Sequence, residues 1–440
     1  MTFPHHQRRT SVHDHIRHHA IAEQVRALRS HETTARDLAA GVRRDVEQAE
    51  QRIHAWVALA PDIETQADAV DAEPACLPLA GISVGVKDII DVAGLPTRAG
   101  TVLSSPEPAA SDAACVSALR SLGAVIQGKT VTTEFAYLNP GPTRNPHSQD
   151  HTPGGSSSGS AAAVGAGTIP VALGSQTAGS LTRPAAYCGT AGMVLPPGSV
   201  DMSGILGLSP SLDALGVLTR TVADLRYVHR AFTRCASDPE RPRSNGVRLW
   251  DGRELADIAP AMSGLVGAVP GILDAIGFES RPLEWADDVR RLTDDHLDVM
   301  SYEALRERAH EYRAHSAQLS EPLLELLRAG EEVSAQRYAS VLRYRDDARA
   351  RLSDHLGADT LIVGPATPGP APAGLHATGV SVLSRAWQLL GLPVVVVPGA
   401  QTPSGLPLGL QIIGLPGSES AMLDLGIQLE QALRSRQLFR

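Results

Sequence analysis

Two serines and one lysine are the residues whose types and settings could do chemistry. Ser156 and Ser180 lie in residues 152–184, TPGGSSSGSAAAVGAGTIPVALGSQTAGSLTRP, a run with six serines and seven glycines. Its middle is too apolar for a flexible linker. Such glycine density implies tight turns and close approach to the backbone. The lysine stands out by composition. Lys87 and Lys129 are the only lysines among 39 basic residues; the others are arginine. A lysine kept in so arginine-biased a chain is a candidate for work arginine cannot do, namely losing its proton. Lys87 ends the apolar run GISVGVK. Burial there would lower its pKa from the usual value of about 10.4 and leave an amine able to take a proton from a serine.

Two other motifs fit by letter but not by setting. GAVIQGKT, 123–130, matches the phosphate-loop pattern, but a helix precedes it and AVI reads as the strand itself. Lys129 is therefore expected to be an ordinary charge at a strand end. GSSSG, 155–159, matches a nucleophile elbow, yet residues 141–155 read as loop rather than strand. His229, His296, His310, His315 and His355 fall in charged, helical surroundings and are expected on the surface. His376 is the one downstream histidine in a loop that could serve a Ser-His-Asp arrangement.

The chain must supply elements that position these groups. At 440 residues with 43% hydrophobic and only 4% aromatic content, it can build a large core from Ala, Val, Leu and Ile. Short apolar strands are expected at 82–86, 124–126 and 169–173, alternating with helices at 112–122 and 160–166. Strands return at 360–363, 394–397 and 408–413, before a closing helix at 420–434. The alternation implies an α/β fold, a sheet with helices on both faces. Residues 21–60 read as an N-terminal helical arm. Residues 237–245 are the best candidate for a break. A helix at 261–276 is interrupted at Pro270, and charged helices follow over 293–356. The organisation expected is a His-rich tail over 1–20, then one domain over 21–440 with a helical insertion at about 246–356.

Several function classes are disfavoured. A net charge of −9 without a basic, aromatic-studded patch argues against nucleic acid. Cys76, Cys115, Cys188 and Cys235 form no CxxC pair, so no metal site or disulfide framework is indicated. The histidines at 5, 6, 13, 15, 18 and 19 lack a closing framework of cysteines or carboxylates and read as a solvated tail. No signal peptide and no run long enough to span a bilayer is evident, so a cytoplasmic protein without membrane partner or cofactor is expected. A homodimer is allowed.

The fragments GVKDIIDVAGLPTRAGT, TPGGSSSGSAAAVGAG, ALGSQTAGS, RPAAYCGTAG, SLDALGVLTRTVADL and LGLPVVVVPGAQTPSGLPLGLQIIG resemble the amidase signature family. The resemblance covers most of the chain and implies a large twisted mixed sheet with helices on both faces. It implies a Ser-cisSer-Lys set with serines 24 residues apart, the separation of Ser156 and Ser180. By position Ser180 is the nucleophile, Ser156 the bridging serine joined to Gly155 by a cis bond, and Lys87 the base. The backbone N–H groups of Thr177, Ala178, Gly179 and Ser180 would form the oxyanion hole, just before a helix opened by Pro184. Where the family pattern has TDTGGS, this chain has Gln176 and Ala178; where it has GLKPT, Val194 replaces the lysine. Ser180-Leu-Thr-Arg183-Pro184 resembles the malonamidase branch, in which the arginine grips a substrate carboxylate, so Arg183 is the expected substrate-binding residue. Pairing of Arg183 within the protein is the alternative. The activity implied is hydrolysis of a small, carboxylate-bearing amide. The amidase component of a tRNA-dependent amidotransferase and a catalytically silent binding protein are the competing roles.

Overall fold

A computed structural model describes residues 16–233, 246–357 and 360–435. Among these residues eleven strands form one mixed sheet in the order β1-β3-β2-β4-β6-β5-β10-β11-β9-β7-β8. The strands are β1 (Trp56–Leu59), β2 (Ser83–Lys87), β3 (Val125–Thr130), β4 (Val171–Gln176), β5 (Ala191–Val194), β6 (Ala214–Thr219), β7 (Gly246–Leu249), β8 (Glu279–Pro282), β9 (Thr360–Pro365), β10 (Val394–Gln401) and β11 (Pro407–Ile413). Strand β2 runs parallel to β3 and β4, whereas the middle of the sheet is antiparallel. The fold is the expected α/β class. Aliphatic side chains dominate the core, and its largest buried side chain is Trp387, edge-on to Trp250 at 5.1 Å.

The glycine-serine run folds as a turn and a helix, and the glycines have specific reasons. Gly154 sits at φ +80° against Pro184, a backbone region that side chains disfavour. Gly159, in the Ser158–Gly165 helix, lets that helix touch the neighbouring backbone: a Cβ there would lie 2.2 Å from Ala55 O. The helix is built from small residues because it fits against strand-end backbone, and it carries Ser156 and Ser157 immediately before its first turn.

Several expectations need correction. The N-terminal arm holds helices Ile21–Arg29 and Ala35–Ile53, but its end is the edge strand β1. The span taken as a helical insertion contributes β7 and β8, which run parallel beside β9. Both are four residues long and β8 is largely exposed, so they lack the apolar run that marks a buried strand. The Pro260–Ala275 helix continues through Pro270, which lies on its exposed face, where water can satisfy the carbonyl that proline leaves without a partner. Residues 1–15 of the tail expected over 1–20, and the break at 237–245, lie outside the described residues.

Lys129 is also corrected. It is fully buried, with Nζ 3.0 Å from Asp88 Oδ1, and it donates to Thr97 Oγ1 at 2.9 Å and Pro96 O at 3.4 Å. Burial lowers the lysine pKa and raises that of Asp88, each opposed by the partner's charge. Removing one member of such a pair strands a buried charge. Lys129→Met should therefore destabilise the protein by about 3–5 kcal/mol in urea unfolding, and Lys129→Met/Asp88→Leu should recover much of that loss. A loss under about 1 kcal/mol in the single variant would show that the pair is not holding this part of the sheet.

Candidate active site

Lys87 is the last residue of β2 and is buried completely. Its Nζ lies 2.6 Å from Ser156 Oγ and 2.7 Å from Ser175 Oγ. No carboxylate lies within ion-pair distance of it among the described residues. Burial brings its pKa down to about 7, only partly opposed by the charge of Asp213. Near neutral pH a large share of Lys87 is thus an uncharged amine. Such an amine can accept the Ser156 proton while one of its own N–H groups donates to Ser175. Ser175 was missed by sequence reasoning, although it opens the SQTAGS fragment and lies beyond the strand segment where β4 pairs with β2.

Ser180 lies in the turn between β4 and the Thr182–Cys188 helix. Its carbonyl accepts from Ser157 N–H at 3.0 Å, which brings the two serine segments side by side. No hydrogen bond joins the Ser156 and Ser180 hydroxyls in this structure, and Ser180 Oγ has no partner among the described residues. Ser180 is 8% exposed and opens on a cavity of about 30 Å³ lined by Tyr137, Ala178, Gly179, Met300 and Arg385, among others. Two larger grooves, about 850 and 510 Å³, contain none of Lys87, Ser156 and Ser180.

The backbone N–H groups of Thr177, Ala178, Gly179 and Ser180 donate to no acceptor among the described residues. Four neighbouring donors left free beside a serine can stabilise a developing oxyanion. The loop that carries them is held from outside. Thr177 Oγ1 donates to Asp213 Oδ1 at 2.6 Å, and Asp213 Oδ2 accepts from Leu208 N and Ser209 N. Burial raises the Asp213 pKa to about 6, against the lowering effect of these three hydrogen bonds. On the other side His296 Nε2 donates to Thr177 O at 2.8 Å. His296 was expected on the surface; it is fully buried in the Ala286–Glu307 helix, and burial lowers its pKa to about 3. The imidazole is therefore neutral with its proton on Nε2. His376, by contrast, is exposed in a loop and has no place in this site.

A family model described as Amidase matches residues 39–255. A putative amidase, AmiA2, of Mycobacterium tuberculosis is 32% identical over 92% of this chain and 90% of its own. The chain belongs to the amidase signature family. A glutamyl-tRNA(Gln) amidotransferase component of Chlamydia pneumoniae is 29% identical over 96% of both chains. AtzE of Pseudomonas, a component of 1-carboxybiuret hydrolase, is 29% identical over 93% of this chain and 97% of its own. A crystal structure of an amidase superposes with a TM-score of 0.84 at 28% identity, over 94% of this chain and 99% of that one.

Within this member of the family, Gln176 has a defined task. Its Oε1 accepts from Leu181 N and Thr182 N, both at 3.0 Å, and so occupies the donors that open the Thr182–Cys188 helix. The free N–H groups thus belong to the turn before the helix rather than to the helix itself. Gln176 Nε2 donates to Gln388 Oε1, and Gln388 in turn donates to Leu212 O. Pro184 falls in the helix's first turn, as expected. The Gly155–Ser156 bond is cis. Arg183, the expected substrate-binding residue, lines the cavity beside Ser180 and donates to backbone carbonyls: Nε and Nη2 to Gly155 O, Nη1 to Gly379 O. No group of metal-ligating side chains occurs among the described residues, and no helix of theirs is long and apolar enough to cross a membrane.

Two outcomes follow from this geometry. The rate of Ser180 acylation should rise with pH to a plateau above about 7, because the working form of Lys87 is the deprotonated one. A rate independent of pH between about 5.5 and 8.5 would contradict it. His296→Leu should slow turnover about tenfold or more through misplacement of Thr177, with the same pH midpoint, since a group with a pKa of about 3 does not titrate there. A shifted midpoint would instead make His296 the titrating group.

Proposed function

We propose that this amidase hydrolyses the C–N bond of a small linear amide that carries a carboxylate, through an acyl-enzyme on Ser180. The observation that carries the reading is the buried Lys87 amine, 2.6 Å from Ser156 and without an ion pair among the described residues, beside a serine flanked by N–H groups that no described residue engages. Lys87 takes the Ser156 proton as Ser156 takes that of Ser180, once the Ser180 hydroxyl turns onto Ser156. The Ser180 oxygen bonds the amide carbon, and the carbonyl oxygen gains charge against the N–H groups of Thr177 to Ser180. Losing one such donor typically costs about 3–4 kcal/mol of transition-state stabilisation. As the C–N bond breaks, the proton returns through Ser156 to the leaving nitrogen. Water, deprotonated along the same relay, then hydrolyses the ester to release the acid and restore Ser180.

Support for a carboxylate comes from the cavity wall, whose only charged side chains are arginines, and from a relative named for 1-carboxybiuret, itself an acid. The S-x-x-R-P spacing around Arg183 belongs to the same reading. Arg183 would contribute through the carbonyls it holds and any N–H left over.

A second reading, an amidase component working only in a larger amidotransferase, is favoured by the relative of that name. One experiment separates them. The purified chain alone should react with a fluorophosphonate at Ser180 and release ammonia from simple amides, and Lys87→Ala should lose both by at least about 10³-fold. Labelling without turnover would favour the amidotransferase role. An unlabelled wild-type protein would end the nucleophile assignment.

A further inference from the structure

The cavity beside Ser180 carries two guanidinium groups, Arg183 and Arg385, and no carboxylate. Their situations differ. Both Arg183 Nε and Nη2 converge on Gly155 O, at 3.2 and 2.5 Å, and Nη1 reaches Gly379 O at 2.6 Å. The Nε/Nη2 fork is thus closed on the protein's own backbone, and Nη1 spends one of its N–H groups on Gly379. Arg385, on the Val382–Leu389 helix, has a side chain with no hydrogen bond and no ion pair among the described residues. Its Nε is buried without an acceptor. Burial lowers its pKa, and the nearest acidic influences, Tyr137 and Asp294, act only at a distance. Tyr137 lines the same cavity, and its hydroxyl likewise has no partner among the described residues.

Arg385 is half-buried, with its Nε sheltered from water, and a partly desolvated cation without a counter-ion gains from a ligand that supplies the missing charge. No described residue does so for Arg385. We propose that Arg385 is the anchor that binds the substrate's carboxylate, and that Arg183 is a positioning residue that fixes the cavity wall through the Gly155 and Gly379 carbonyls. The Arg385 fork donates two hydrogen bonds to the acid, with the Tyr137 hydroxyl placed to add a third. The amide end then lies at Ser180, against the N–H groups of residues 177–180. Short acids with the amide a few bonds from the carboxylate fit this arrangement. The assignment rests on the reading of the site as an amide hydrolase.

The test compares succinamic acid with the neutral succinamide in wild type, Arg385→Gln and Arg385→Lys. The ratio of kcat/KM for the acid over that for the diamide should fall about ten- to a hundredfold in Arg385→Gln, through KM, and partly recover in Arg385→Lys. Succinate binding, followed by calorimetry, gives a readout that needs no turnover. Wild type should bind succinate and Arg385→Gln should bind at least about tenfold more weakly, with unfolding midpoints matched to exclude loss of fold. If succinate binds in this way but neither amide is hydrolysed, the anchor stands and the hydrolase reading fails. An unchanged ratio in Arg385→Gln, equal succinate affinity in both proteins, or no succinate binding by wild type would overturn the assignment.

Discussion

A primary amine shut away from water among hydroxyls sets the terms for everything around it. The chain has two lysines, on adjacent parallel strands, and both are buried, yet the protein treats them oppositely. Val86 pairs with Lys129 and Lys87 with Thr130, so strand alternation sends the two amines to opposite faces of the sheet. On one face Asp88 meets Lys129 at 3.0 Å and favours the ion. On the other, Lys87 finds Ser156 and Ser175, which can accept or donate but bring no charge. Burial without a counter-ion is what makes a lysine a base near neutral pH, and one strand end provides it.

The rest of the site serves to keep four N–H groups unoccupied. A turn of free donors would ordinarily close on itself or on a neighbouring carbonyl. Here its carbonyls and side chains are held from several directions: Thr177 by Asp213 and His296, Gly179 O by Arg183 N, and Ser180 O by Ser157 N. Gln176 satisfies the helix that follows, so the helix makes no demand on the turn. Donors fixed in advance need no reorganisation when charge develops, and this is where most of their catalytic value lies.

Legibility in the sequence divided along physical lines. Lys87 was visible as one of only two lysines, at the end of an apolar run, and Ser156 and Ser180 as hydroxyls in a glycine-rich run whose spacing and roles the family resemblance supplied. Strands β2, β4, β10 and β11 were visible as apolar runs between turns, while β7 and β8 were too short and too polar. Lys129 and His296 were misread because burial depends on what packs against a residue. For His296 a signal was present. The buried positions Val289, Leu292, Thr293, His296, Val299, Met300 and Glu303 recur at helical spacing, and His296 lies on that stripe. The charged residues around it hid the pattern. The S-x-x-R-P spacing singled out Arg183 and passed over Arg385, since which guanidinium meets a carbonyl is decided by loops from distant parts of the chain.

With two lysines in the chain, the protonation of Lys87 can be observed without interference. Labelling the lysine side-chain nitrogens and following their NMR shifts against pH yields two signals, separable by Lys129→Met. The account predicts that one titrates near pH 7, and that this signal is the one retained in Lys129→Met, the other belonging to the amine paired with Asp88. Two signals that both hold their protons to about pH 10, the ordinary lysine range, would show that Lys87 is an ammonium at neutral pH, and the relay through Ser156 would have no base.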